Sequence, residues 1–129
     1  MNRTLLRVAS VLALLIGAMS VVAGGSVLLG WQPGYTVVGW LPIYNFVAGW
    51  LAVLVAAPLI WRGSRWALPV ALAALGAHAA VMLLTQVVSR DVVAMQSIAA
   101  MAFRLAVWAV IVILLWRQAF LMKNTLIGD

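Results

Sequence analysis

The stretch that decides the fold is Val8–Trp61, VASVLALLIGAMSVVAGGSVLLGWQPGYTVVGWLPIYNFVAGWLAVLVAAPLIW, which contains no charged residue. A helix that crosses the roughly 30 Å hydrocarbon core of a bilayer needs about 20 predominantly apolar residues, each rising about 1.5 Å. One crossing cannot use this length, so the stretch predicts two helices and a turn. The turn is written in its middle: Gly30-Trp31-Gln32-Pro33-Gly34-Tyr35 carries a Pro-Gly pair that interrupts regular structure. The first helix is expected near residues 5–29 and the second near 42–61. Pro42 suits a first helical turn, where a missing N–H costs nothing. Pro58, in the last turn of the second helix, is expected to kink it.

The pattern repeats beyond Trp61. Arg62-Gly63-Ser64-Arg65 reads as a short charged loop, followed by a third helix near 66–88, a tip at Ser89-Arg90-Asp91 and a fourth helix near 92–116. The tail Arg117–Asp129 is polar enough to leave the bilayer. Residues 1–129 are therefore expected to form one transmembrane domain, an all-α membrane protein of four transmembrane helices in an antiparallel bundle. Composition agrees, with 67% of residues hydrophobic and 8% charged where a soluble domain carries about 25% charged. A competing reading makes the N-terminus a cleaved signal peptide, with a basic start and with Val21 and Ala23 spaced like a cleavage site. It would leave three helices. The apolar run continues through Leu29 without a polar break, which favours an uncleaved first helix.

Orientation follows from the basic residues. Arg3, Arg7, Arg62, Arg65, Arg117 and Lys123 fall on one side of the expected bundle, and only Arg90, beside Asp91, on the other. Short cytoplasmic loops carry the excess of Lys and Arg, so both termini are expected inside. Trp31, Tyr35, Trp40 and Tyr44 would then line the outer interface and Trp61, Trp66 and Trp116 the inner one, as aromatic belts do. A net charge of +6 spread in this way describes topology, not a nucleic-acid-binding patch. Cysteine is absent, which removes disulfides, thiolate ligands and cysteine nucleophiles together.

Polar residues inside a membrane are costly and mark candidate sites. His78, the single histidine, lies 12 residues beyond Trp66, and Arg104 lies 12 residues before Trp116. Both are thus about 18 Å from the inner boundary. Gln86 and Gln96 form a second matched pair nearer the outer side. No acid lies in any expected helix, so Asn45 and Tyr44, slightly further out on the second helix, are the candidate partners of Arg104. Two readings of Arg104 stay open. It snorkels to the outer headgroups, or it holds a quinone oxygen, a haem propionate, a lipid phosphate or a partner subunit's carboxylate. His78 reads either as a packed histidine bonded to a neighbouring helix or as an axial ligand; Ala74, four residues earlier, would leave room for a flat macrocycle. A structural metal site does not fit one histidine and two acids. Ala13, Gly17, Ser20 and Gly24 in the first helix, and Ala73, Gly76, Ala77 and Ala80 in the third, make small faces for close helix packing. Trp50, Phe103 and Trp108 read as packing or lipid-facing bulk.

The stretches Pro42-Ile43-Tyr44-Asn45-Phe46-Val47-Ala48-Gly49-Trp50 and Ala100-Met101-Ala102-Phe103-Arg104, with Trp108 and with His78 between them, resemble those of a functionally uncharacterised family of small bacterial four-helix inner-membrane proteins. The resemblance spans most of the chain beyond the first helix. It implies the fold and no activity, and it marks Asn45, His78 and Arg104 as residues to watch. No nucleophile–base–acid set, phosphate loop or zinc signature appears, and without intramembrane carboxylates a proton-coupled transporter is disfavoured. The chain therefore reads as a non-enzymatic accessory or assembly subunit of a larger inner-membrane complex, with electron transfer as the associated chemistry. Its expected partners are the lipid bilayer and other membrane subunits or a second copy. The alternatives are a small membrane protein binding a lipophilic cofactor (quinone, haem or chlorin) through His78, Arg104, Asn45 and Tyr44, and a carrier for a small neutral solute.

Overall fold

Each helix starts and stops where its local chemistry dictates. In a computed structural model, which describes residues 2–91 and 93–128, the first helix, α1 (Arg3–Leu28), begins ahead of its expected start. Asn2 is the reason. Its side-chain oxygen accepts from the backbone N–H groups of Thr4 at 3.1 Å and Leu5 at 3.3 Å, which satisfies donors that a helix start otherwise leaves open. At the other end Gly30 takes φ 104°. Its N–H donates to the Val27 carbonyl, and the Trp31 N–H donates to Ser26, the paired closure of a Schellman motif. The second helix, α2 (Leu41–Trp61), ends in the same way. Gly63, at φ 66°, donates to Ile60, and Ser64 donates to Leu59. The Ser64 hydroxyl then accepts from the Trp66 N–H at 3.2 Å and leads into α3 (Ala67–Val88).

The fourth helix, α4 (Met95–Ile127), differs from expectation at both ends. Val92, its expected first residue, lies outside the described residues, as do Met1 and Asp129; the helix begins at Met95. It does not stop at Trp116. Its 33 residues extend about 50 Å, well beyond the thickness of a hydrocarbon core. What reads as a polar tail is helix through Ile127, and Gln118 within it is buried, with no hydrogen bond to its side-chain oxygen. All four helices are long and apolar enough to cross a membrane, the mark of a multi-pass membrane protein.

Pro58 disturbs α2 by changing its register. Ala52–Ala56 form a π-helical turn, in which the Ala57 N–H donates to the Ala52 carbonyl five residues back. Proline brings no N–H to the ladder, and a widened turn just before it absorbs that loss. Ser10 of α1 donates its hydroxyl to the Ala57 carbonyl at 2.7 Å, in a buried position.

α1 and α2 touch backbone to backbone. A Cβ on Gly49 would lie 2.6 Å from the Gly17 carbonyl oxygen and 2.7 Å from the Val21 nitrogen, and a Cβ on Gly24 would meet the Pro42 carbonyl oxygen. Ser10 meets Ala57, Gly17 meets Gly49 and Gly24 meets Pro42. In lipid, apolar surface gains nothing by leaving its solvent, so such close approach supplies much of the helix association. The small face expected on α1 is accordingly buried at Ala13, Gly17, Ser20 and Gly24.

The small face expected on α3 behaves differently. Ala73, Gly76, Ala77 and Ala80 are exposed, and a Cβ on Gly76 would meet nothing within 4 Å. α3 buries Ala67, Ala71, His78 and Thr85 instead. Its main neighbour is α4, which packs in turn on α1. The helices are therefore stitched together mainly in the order α2–α1–α4–α3, and α2 and α3 meet only near their short loop and at Tyr44 and His78 among the described residues. Ile60, Trp108 and Ile111 are the largest fully buried side chains. Trp50 and Phe103 are exposed, so of the three bulky residues singled out in the sequence only Trp108 serves the core.

The substitution Gly49→Ala is expected to lower the melting temperature in mild detergent, since overpacking against backbone costs about 1–3 kcal/mol. Gly76→Ala, which adds a methyl group in open space, is expected to leave it unchanged or raise it, alanine being the better helix former by roughly 0.5–1 kcal/mol. Equal melting of the two variants would contradict the close α1–α2 contact.

Candidate functional site

Tyr44 and Asn45 are neighbours near the start of α2, so their side chains leave the helix about 100° apart. That angle sends them to different helices. The Tyr44 hydroxyl is hydrogen-bonded to Nδ1 of His78 on α3, and the two rings meet edge to face with centroids 5.6 Å apart. The Asn45 side-chain oxygen accepts from Nη1 of Arg104 on α4 at 2.7 Å. The His78 ring also stands edge-on to Trp108, 6.2 Å between centroids, and Trp108 is one helical turn beyond Arg104. His78 and Arg104 thus meet consecutive residues of α2, in keeping with the equal depth read from the sequence. The four residues singled out there come together as two bonded pairs.

The pairs do different work. Arg104 is only 7% exposed, so it does not snorkel to the headgroups; among the described residues its side-chain partner is Asn45. An arginine at the centre of a membrane helix costs about 2.5–3.5 kcal/mol on insertion scales. A hydrogen bond to a charged group returns about 1.5–3 kcal/mol. The Asn45 bond therefore offsets most of the cost of keeping Arg104 inside, and neither residue lines the open space next to the other pair.

That space is a groove of about 350 Å³ between α2 and α3, left by their failure to pack. Ala48, Ala52 and Ala56 line it from α2 together with Val47, Leu51 and Val55, so the π-helical turn is part of that wall. Ala73, Ala74 and Ala77 line it from α3 together with Val70, and Trp108 of α4 also lines it. Tyr44 and His78 are the polar members of this lining. Concave sites with apolar walls and few polar groups are where small ligands are held.

The Tyr44–His78 pair has a definite chemistry. A neutral imidazole has one N–H and one bare nitrogen. If the tyrosine hydroxyl donates to Nδ1, then Nε2–H remains as a donor. If Nδ1–H donates to the tyrosine oxygen, then Nε2 remains as an acceptor and the hydroxyl proton is available. In both arrangements the pair keeps one donor and one acceptor, and among the described residues Nε2 has no bonded partner. Ala74, singled out in the sequence as leaving room beside His78, does line this groove with Ala73 and Ala77; the alanines of α2 and the place of Trp108 in the lining were not singled out. The spacing at Ala48, Ala52 and Ala56 was visible, but alanine is too common here to carry a signal. Gln86 and Gln96, the second matched pair, are both exposed.

Comparison with protein-family models, with curated proteins and with solved structures found no match to this chain.

Replacing Asn45 by leucine leaves a buried guanidinium without its acceptor, so Asn45→Leu is expected to lower stability in detergent by about 1.5–3 kcal/mol. The double variant Asn45→Leu/Arg104→Leu removes the stranded charge as well and should recover most of that loss. A double variant that melts no higher than Asn45→Leu would show that the two residues are not coupled.

Proposed function

We propose that this protein is a non-enzymatic, intramembrane binding protein that takes a lipophilic molecule with a carbonyl or hydroxyl head, of the quinone class, into the groove between α2 and α3. The observation that carries the reading is an apolar groove lined at one place by the Tyr44–His78 pair, with the second imidazole nitrogen unbonded among the described residues. A quinone carbonyl requires a donor and its quinol hydroxyl requires an acceptor. The pair offers either through one shift of tautomer, while the alanine walls accept an apolar ring or tail. Among quinone, haem and chlorin, the quinone makes the fullest use of this pair. Arg104 and Asn45 brace the site from α4 and α2 without lining it.

The bundle is antiparallel, with both termini on the cytoplasmic side of a bacterial inner membrane. The distribution of Arg3, Arg7, Arg62, Arg65, Arg117 and Lys123 against Arg90 supports this orientation. Cysteines placed at Ser64 and Thr125 are expected to resist an impermeant thiol reagent added to intact cells, and one at Gly34 to react. Labelling at position 64 from outside would reverse the orientation.

A second reading, the accessory subunit of a larger complex, is favoured by one observation, the exposed small face of α3 at Gly76 and Ala80. Small residues that pack against nothing in their own chain suit a close approach by another transmembrane helix. One preparation separates the two readings. The protein is purified in mild detergent, and the organic extract is assayed for quinone while the protein fraction is assayed for stoichiometric subunits. Ala77→Trp, which fills the groove, is expected to abolish quinone recovery, and Ala80→Trp to leave it intact. A quinone content indifferent to Ala77→Trp contradicts binding in the groove. Loss of a co-purifying subunit with Ala80→Trp supports the accessory role.

A further inference from the structure

At the end of the bundle where α1 begins and α2 finishes, Arg3, Leu6, Arg7, Trp61 and Arg62 enclose a cavity of about 280 Å³. Three of these five residues are arginines, and they come from both helices. Arg3 and Arg7 are four apart on α1, where like charges face one another and repel. Arg62 brings a third positive charge to the same space. Among the described residues no carboxylate meets them. The chain's two acids are Asp91, beyond α3, and Asp129, outside the described residues. The guanidinium of Arg7 stacks over the Trp61 ring, 5.5 Å from its centroid, which holds its plane and leaves its N–H edge for another acceptor.

A second concavity at this end makes a useful contrast. Arg65 stacks on Trp66 at 5.4 Å in a shallow site completed by Pro69. The residue types are the same, but a single arginine is present. Three arginines lining one space therefore distinguish the α1–α2 cavity from the Arg65 site.

We propose that this cavity holds a phosphate group, carried by an anionic phospholipid headgroup or free in solution. Guanidinium forks match phosphate oxygens in bidentate geometry, and an anion among the three turns their mutual repulsion into attraction. Leu6 and Trp61 supply an apolar side to the same cavity, which suits the glycerol region of a lipid, and tryptophan belongs at headgroup depth. The site is separate from the α2–α3 groove and shares no lining residue with it.

The test uses the full chain in mild detergent, titrated with phosphatidylglycerol, with diacylglycerol (the same apolar part without phosphate) and with inorganic phosphate, and read by native mass spectrometry and by melting temperature. One phosphatidylglycerol per chain is expected to persist, and diacylglycerol is expected not to bind. Arg3→Gln and Arg62→Gln should each weaken binding about five- to tenfold by removing a charge-assisted contact. Arg62→Lys, which keeps the charge but not the fork, should fall between them and the unaltered protein, and Arg65→Gln should leave binding unchanged. All three positions are exposed, so melting in the absence of lipid should be unaffected and reports folding separately. Millimolar inorganic phosphate that stabilises the protein alone, with the same ranking of variants, assigns the site to free phosphate. If Arg65→Gln weakens binding as much as Arg62→Gln, or if neither phosphate source binds, the proposal is overturned.

Discussion

Gly17 and Gly49 let the backbones of α1 and α2 touch, and much of the remaining architecture follows from the face of α2 that this contact consumes. A helix in hydrocarbon gains little by hiding apolar side chains, so it associates where it can approach most closely. α2 turns Gly49 to α1. α3, joined to it by a short loop, packs instead on α4. The space between α2 and α3 is what remains, and alanines on both walls, among larger valine and leucine side chains, leave room in it. The π-helical turn before Pro58 adds to the same effect, because Ala52 and Ala56 within it line the groove. The groove is therefore a consequence of the packing order and not an isolated defect.

Within this frame the polar residues divide the labour according to burial. Hydrocarbon offers no hydrogen bonds, so each buried polar group must find its partner in the protein. Arg104 finds Asn45, and the magnitude of one charge-assisted bond is comparable with the cost of the buried arginine. His78 finds Tyr44 through Nδ1, and among the described residues its other nitrogen has no bonded partner. The first pair joins α4 to α2 through one charge-assisted bond and braces three-dimensional structure. The second is half open, and chemistry remains available at its free nitrogen. Two pairs at one level, with consecutive residues of α2 as their anchors, thus differ in what they leave unsatisfied.

The helix count and approximate spans were legible in the sequence, because a charge-free stretch as long as Val8–Trp61 admits few readings. The ends were less so. The turn at Gly30 was legible and the end of α1 falls within one residue of expectation, but Asn2 as a cap is a single residue whose effect depends on backbone geometry, and hydropathy does not register it. The continuation of α4 through Ile127 was missed because Arg117, Gln118 and Lys123 look like an exit from the bilayer, which does not require an end to the helix. Tyr44, Asn45, His78 and Arg104 could be brought together by counting residues from the interfacial tryptophans. Which of them pairs with which could not, since that depends on rotation about each helix axis. The small face of α3 looked like that of α1, yet only one is buried. Composition marks a face as able to pack closely, and the rest of the bundle decides whether it does.

Because His78 is the single histidine, the state of the groove can be read from one imidazole. Nitrogen NMR of protein labelled with ¹⁵N-histidine in nanodiscs reports Nδ1 and Nε2 separately, and a short-chain benzoquinone is the probe. The account predicts that adding the quinone moves the Nε2 resonance in a saturable manner, while Nδ1 stays hydrogen-bonded to Tyr44, and that Ala77→Trp abolishes the response. An Nε2 resonance unmoved at saturating quinone, or moved equally in the Ala77→Trp protein, would contradict ligand binding at the Tyr44–His78 pair.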